Sequence, residues 1–144
     1  MMNKYLAISK ISKIRNEVSN YIECELKKRG IEGLMVSHGN ILDILYENNG
    51  KLTMKEISEG IDRSKSTVTK LVDRLLKAGY VTKESNLEDK RYSYIDLTEK
   101  GLNIKKDFKD ISQNVIKEFF KNFTEEEVEI LLLLLDRVIH NFTQ

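Results

Sequence analysis

The chain has 144 residues, 40% of them hydrophobic and 33% charged, with a net charge of +1. That is the composition of a soluble protein with one domain or two small lobes, and so neutral a total excludes a globally polybasic chain: any affinity for nucleic acid has to come from where the charges sit. No stretch approaches the roughly 18 apolar residues of a membrane span, the N-terminus lacks the apolar segment of a secretory signal, and the single cysteine, Cys24, has no internal disulfide partner, which together predict a reduced, cytoplasmic protein away from membranes.

With no proline and seven glycines, glycine does most of the punctuation, and helix dominates the expectation. Over residues 5–29, Leu6, Ile8, Ile11, Ile14, Val18, Tyr21, Ile22 and Leu26 recur at three- and four-residue steps, the stripe of a long first helix. Gly30-Ile31-Glu32-Gly33 breaks it. Ser37 is the expected cap of a second helix ending near Glu47, with Ile41, Leu42, Ile44 and Leu45 inward and Asn48-Asn49-Gly50 as its stop. Lys51-Leu52 suits a very short strand. Thr53 and Glu56 form a T-x-x-E capping box for a third helix, with Ile57 and Ile61 inward and Gly60 at the expected turn.

Ser64 caps a fourth helix that runs to Ala78, followed by Gly79 as the left-handed stop. Residues 80–85 and 92–97 alternate like strands (Tyr80, Thr82; Tyr92, Tyr94, with Ile95 and Leu97) around a polar loop at 86–91. Thr98 caps a fifth helix, interrupted in its first turn by Gly101 and continuing to about Asn122. Thr124 and Glu127 make a second capping box, opening a sixth helix that is apolar all round over residues 130–135. Five consecutive leucines cannot face water on every side, and a second copy of the chain is the simplest enclosure.

The fourth helix carries the functional signal. With ~100° per residue, Val68, Leu71, Val72 and Leu75 fall in one arc, while Ser66, Thr67, Lys70, Asp73, Arg74 and Lys77 lie opposite. Residues 63–78 hold five basic side chains against one acid, Asp73, a local charge of +4 in a chain whose total is +1. Small hydroxyls at a helix start allow close approach to base edges and phosphates, free first-turn N–H groups bind phosphate, and Lys70 and Arg74 reach guanine edges or phosphates. A helix, a turn, a polarised second helix and a hairpin form the plan of a winged helix-turn-helix, which implies double-stranded DNA as partner. In the hairpin tip, Arg91 suits the minor groove, with Asp89 and Lys90 beside it and Asp89 holding Arg91 by an ion pair.

Residues 64–79 (SKSTVTKLVDRLLKAG), the D-x-R tip Asp89-Lys90-Arg91 and the L-T-x-x-G close from Leu97 to Gly101 together resemble the MarR family of bacterial transcriptional regulators. The resemblance implies a mainly α fold with a small β-hairpin wing: a winged helix-turn-helix DNA-binding lobe over residues 34–101, and a dimerisation lobe of N- and C-terminal helices from residues 1–33 and 102–144. It implies a homodimer on a pseudo-palindromic operator, usually as a repressor. The residues carried over to DNA binding are Ser64, Lys65, Ser66, Thr67, Lys70 and Arg74 on the helix, and Asp89, Lys90 and Arg91 on the wing. It also implies release by a small ligand, an oxidant or a metal; in many relatives the ligand is a small aromatic acid or phenolic compound held between the lobes, for which Arg15, Tyr21 and His38 are the candidate contacts.

Other chemistry finds little support. Glu23 and Glu25 flank Cys24, a setting that does not favour a reactive thiolate, so a buried structural cysteine is expected. Two histidines and one cysteine, without H-x3-H or C-x2-C spacing, predict no metal. No nucleophile–base pair or phosphate-cradling glycine loop is present, so neither an enzyme nor a cofactor is expected. A winged helix that binds protein instead of DNA is the alternative, and the retained basic face argues against it.

Overall fold

The computed structural model describes residues 2–61, 63–85, 88 and 93–143. In chain order it has α1 (Tyr5–Lys28), α2 (Val36–Glu47), β1 (Lys51–Thr53), α3 (Met54–Ile61), α4 (Lys65–Lys77), β2 (Val81–Ser85), β3 (Ser93–Leu97), α5 (Glu99–Asn103), α6 (Lys105–Phe119) and α7 (Glu125–Phe142). The fold is mainly helical with a small winged sheet, and the chain divides into two compact units, Met1–Ile111 and Ser112–Gln144.

The core of the first unit follows from helical spacing. Ile41, Leu42 and Leu45 of α2, Ile57 of α3, and Val68, Val72 and Leu75 of α4 are all buried. A three-stranded antiparallel sheet in the order β1-β3-β2 closes one side, with Leu52 opposite Ile95 and Val81 opposite Leu97. The inward residues of the wing are Val81 and Ile95, next to the buried Tyr80; Thr82 is exposed, and Tyr94 and Leu97 are half-buried, so the expected alternation holds at Tyr80 and Ile95 and fails at Thr82. Pairing with β1 puts the central strand's Ile95 against the core and so decides which face turns in.

Capping proceeds largely as the sequence predicts. The Thr53 hydroxyl accepts the Glu56 N–H at 3.1 Å while Glu56 Oε1 accepts the Thr53 N–H at 3.1 Å. Asn49 and Gly50, with φ of 60° and 84°, make the left-handed stop of α2. Three details differ. The second helix starts at Val36, and Ser37 lies inside it: His38 Nδ1 accepts the Met35 N–H at 2.9 Å and does the capping. Gly60 lies within α3 and not at the turn; a Cβ there would stand 3.0 Å from Ile44 Cδ1, so the small residue serves the approach of α2. The expected fifth helix is two, α5 and α6, divided at Ile104. Gly101 pins α5 to the wing, Phe108 seats α6 where a Cβ on Gly39 would be 2.7 Å from its ring, and the chain resets between these two anchors.

Residues 98–101 form the junction on which the helix-turn-helix closes. Thr98 Oγ1 donates to the Gly79 carbonyl at 2.6 Å and accepts the Gly101 N–H at 3.1 Å, and the Thr98 N–H donates to the Tyr80 carbonyl at 3.1 Å. The Tyr46 hydroxyl donates to the Gly101 carbonyl at 2.6 Å. Lys100 Nζ donates to the Ala78 carbonyl at 2.6 Å and stands 4.5 Å from the Tyr80 ring centroid. A Cβ on Gly101 would collide with the Tyr80 carbonyl oxygen.

In the second unit, α7 opens on the reciprocal Thr124–Glu127 capping box predicted for it. Phe119, Phe120 and Phe123 stack just before it, with centroids 4.8 and 5.8 Å apart. The helix buries no residue: Ile130, Leu132, Leu133 and Leu134 are all exposed. Along α1 the predicted stripe is likewise open at Leu6, Ile8, Ile11 and Ile14, and only Leu26 is buried.

Gly101→Ala is expected to cost about 1–3 kcal/mol of stability in urea unfolding, because the backbone oxygen it meets cannot rotate away. Thr98→Ala should cost about 1 kcal/mol through the lost cap. Stability unchanged in both variants would remove the junction as a support.

Candidate nucleic-acid interface

The capping residue Ser64 sets the geometry of the candidate surface. Its extended backbone (φ −63°, ψ 152°) starts α4, and its hydroxyl accepts the Thr67 N–H at 3.3 Å and bonds the Thr67 hydroxyl at 3.0 Å. Ser66 Oγ lies 3.2 Å from Ser64 Oγ. Val68, Val72 and Leu75 anchor the inner side of the helix. Ser64, Lys65, Ser66, Lys70, Asp73 and Lys77 are exposed on the outer side, as the helical wheel predicts. Thr67 is half-buried and engaged in the cap.

Thr69 was not singled out from the sequence, yet it is exposed beside Lys70. Its hydroxyl donates to the Lys65 carbonyl at 2.8 Å. At about −60° from Ser66 on the wheel it stands at the edge of the polar arc, and its angle was the signal that could have found it. Arg74 is exposed as well, with a further contact. Its Nε donates to the Gly33 carbonyl at 3.2 Å, so the side chain lies against the segment between α1 and α2.

On the wing, Lys83 and Ser85 are exposed, and Lys51 pairs with Glu84 at 3.0 Å while lying 5.1 Å from the Tyr94 ring centroid. The expected tip residues Asp89, Lys90 and Arg91 lie outside the described residues.

The three candidate effector contacts lie on α1 and α2. Arg15 is exposed on α1, Tyr21 is half-buried nearer its end, and His38 is buried at the start of α2. Burial, with the Arg74 charge second, holds the His38 imidazole below its ordinary value of 6.5. Residues 31–35 with Glu23 and Lys27 line a cleft of about 500 Å³ beside it. Cys24 is exposed, correcting the expected burial: it sits two residues, or ~200° of helix, from the buried Leu26. Among the described residues no three His, Cys, Asp or Glu side chains gather as metal ligands, and no helix is long and apolar enough to cross a membrane.

A family model described as MarR family matches residues 32–91, from the start of α2 into the wing. IacR, an HTH-type transcriptional repressor of Pseudomonas putida, is 30% identical over 131 residues, covering 91% of this chain and 76% of that protein. The chain belongs to the MarR family. The HTH-type regulator SarZ of Staphylococcus epidermidis is 36% identical over 94 residues, 65% of this chain, and the match spans 62% of SarZ's length. An organohalide-sensing transcriptional regulator solved with 2,4-dichlorophenol bound shares the fold, with a TM-score of 0.86 at 24% identity, covering 99% of this chain and 82% of that one. The MarR-family model ends at Arg91 and so leaves out the 98–101 junction that holds the wing to α4.

The depressed His38 pKa gives a sign for stability. The unfolded chain takes up a proton near pH 6.5 while the folded imidazole resists, so this residue's contribution is intact above 6.5 and is lost as pH falls below it. His38→Asn keeps an acceptor for the Met35 N–H and does not titrate. Its melting temperature is expected to fall less than the wild-type value between pH 7.5 and 5.5; equal falls would place the titration elsewhere.

Proposed function

We propose that this protein is a sequence-specific, double-stranded DNA-binding transcriptional regulator, acting as a homodimer on a pseudo-palindromic operator, in the repressing mode, and without catalytic activity. The observation that carries the reading is the exposed polar and basic face of α4, within a MarR-family helix-turn-helix whose opposite face buries Val68, Val72 and Leu75. Ser64, Lys65, Ser66, Thr67 and Lys70 would meet the major groove, and Asp89, Lys90 and Arg91 the flanking duplex. In this division of roles residues 34–101 bind DNA, while residues 1–33 and 102–144 dimerise. The names of SarZ and IacR, both HTH-type transcriptional regulators, support it.

Dimerisation is the reading of the open apolar helices. Leu133 of α7 is 66% exposed and Ile8 of α1 is 68% exposed, a burden of free apolar surface that a second copy would remove from water. A small aromatic or phenolic effector is the companion reading. It is supported by the dichlorophenol-bound relative in fold, with Arg15, Tyr21 and His38 as the candidate contacts.

The test is a gel shift of the purified chain on its own upstream DNA at rising salt. A discrete shift that resists competitor is expected, with affinity falling steeply as salt releases counterions. Lys70→Ala and Arg91→Ala should each weaken binding, and a lost phosphate contact should lower the salt slope by about one. Wild-type affinity for Arg91→Ala would remove the wing from the interface. Leu133→Asp is expected to give a monomer in sedimentation velocity and to lose the operator shift; a persisting dimer would take α7 out of the interface.

A further inference from the structure

Arg74 stands apart from the other bases of α4. On the wheel it lies about 80° from Ser66, at the margin between the open face and the packed one. Its side chain crosses to residues 30–35, where Nε donates to the Gly33 carbonyl at 3.2 Å. Gly33 has a φ of +78°, and a Cβ there would collide with the guanidinium. The carbonyl acceptor and the missing side chain together make a seat for a planar head.

The seat is itself well held. The Ile31 N–H donates to the Leu26 carbonyl at 2.9 Å, closing the end of α1, and Ile31 and Leu34 are buried on either side of Gly33. Met35 is tied to His38 at 2.9 Å. Just before the segment, Arg29 pairs with Asp107 of α6 at 3.1 Å. A support fixed at both ends can hold a helix; a free loop cannot.

We propose that Arg74 is a positioning residue that clamps the DNA-facing helix to residues 30–35, and that Gly33 is a glycine in order to seat it. The clamp works with the 98–101 junction: that junction holds the C-terminal end of α4, and Arg74 holds its flank. Geometry at a DNA surface then depends on a residue that never touches DNA. The inference rests on the DNA-binding reading above, and its test separates the two.

Glutamine and lysine divide the roles of arginine. The amide nitrogen of Gln stands as many bonds from the backbone as Arg Nε, so Arg74→Gln keeps a donor for Gly33 without charge. Arg74→Lys keeps the charge and places no donor at that point. As a clamp, Arg74→Gln retains operator affinity within about twofold with an unchanged salt slope, while Arg74→Lys and Arg74→Ala each lose about tenfold, the scale of one charge-assisted hydrogen bond. As a phosphate contact the order inverts: Arg74→Lys binds well, and Arg74→Gln loses affinity and about one unit of salt slope. That inversion would overturn the proposal.

Gly33→Ala should reproduce the Arg74→Ala loss, and the two together should be less than additive. Gly30→Ala is the control, because Gly30 has nearly the same φ, +76°, with nothing near its Cβ position. Equal losses from Gly30→Ala and Gly33→Ala would trace the effect to backbone strain and overturn the seat. Should the wild-type chain bind no duplex at all, the DNA-binding reading fails instead. Hydrogen exchange across residues 30–35 and α4 then decides the clamp: faster in Arg74→Ala and Arg74→Lys, unchanged in Arg74→Gln. Uniform exchange in all three would overturn it.

Discussion

The close approach of residue 101 to the Tyr80 carbonyl is the constraint on which the first unit turns. Only a residue without a side chain fits there, and its fit lets Tyr46 reach the Gly101 carbonyl and Thr98 reach the Gly79 carbonyl. Burial raises the Tyr46 phenol well above its ordinary pKa, so its hydroxyl stays a donor to Gly101 across the working pH range. The end of α4, the start of the wing and the short α5 are thereby held as one piece. The N–H groups of Ala78, Tyr80 and Gly79 meet the carbonyls of Arg74, Leu75 and Leu76, and the side chains of Lys100 and Thr98 take the next two, Ala78 and Gly79, which is how a short helix is stopped cleanly without proline.

With its end fixed, α4 has little freedom to roll. Val68, Val72 and Leu75 fill the core beneath it, and the Ser64 cap begins it on a defined backbone. The face left over is small and hydroxylated near the start and basic further along. A near-neutral chain can present such a surface because its basic residues, balanced in number by acids, are segregated. Rigidity of the scaffold and polarity of the face are separate properties, and the proposed function needs both.

The long terminal helices follow a different logic. Neither α7 nor most of α1 finds burial within its own unit, although both are well-formed helices with strong caps or long apolar stripes. Helix formation is local, whereas burial of the stripe requires a partner surface. The exposed leucines of α7 are thus an unfinished core, and the homodimer proposal answers it.

Much of this was legible in the residues alone. The caps at Thr53, Ser64, Thr98 and Thr124 stand where their hydroxyls placed them, with Glu56 and Glu127 completing the boxes at Thr53 and Thr124, because capping is decided within four residues of chain. The inner and outer faces of α4 follow from its period for the same reason. What the sequence could not determine depends on residues far apart. The pairing of β1 with β3 chose Val81 and Ile95 as the inward face of the wing. The buried His38 displaced Ser37 as the cap of α2. Two distant anchors, Tyr80 and Gly39, split one expected helix into α5 and α6. Arg74 lies 41 positions from Gly33, and nothing in the spacing of α4 indicates that its Nε donates to a backbone carbonyl there. Local hydrogen bonds and helical period were enough for the elements and the open face; only the tertiary structure, where side chains compete for a few shared acceptors, decided which of those residues remain available.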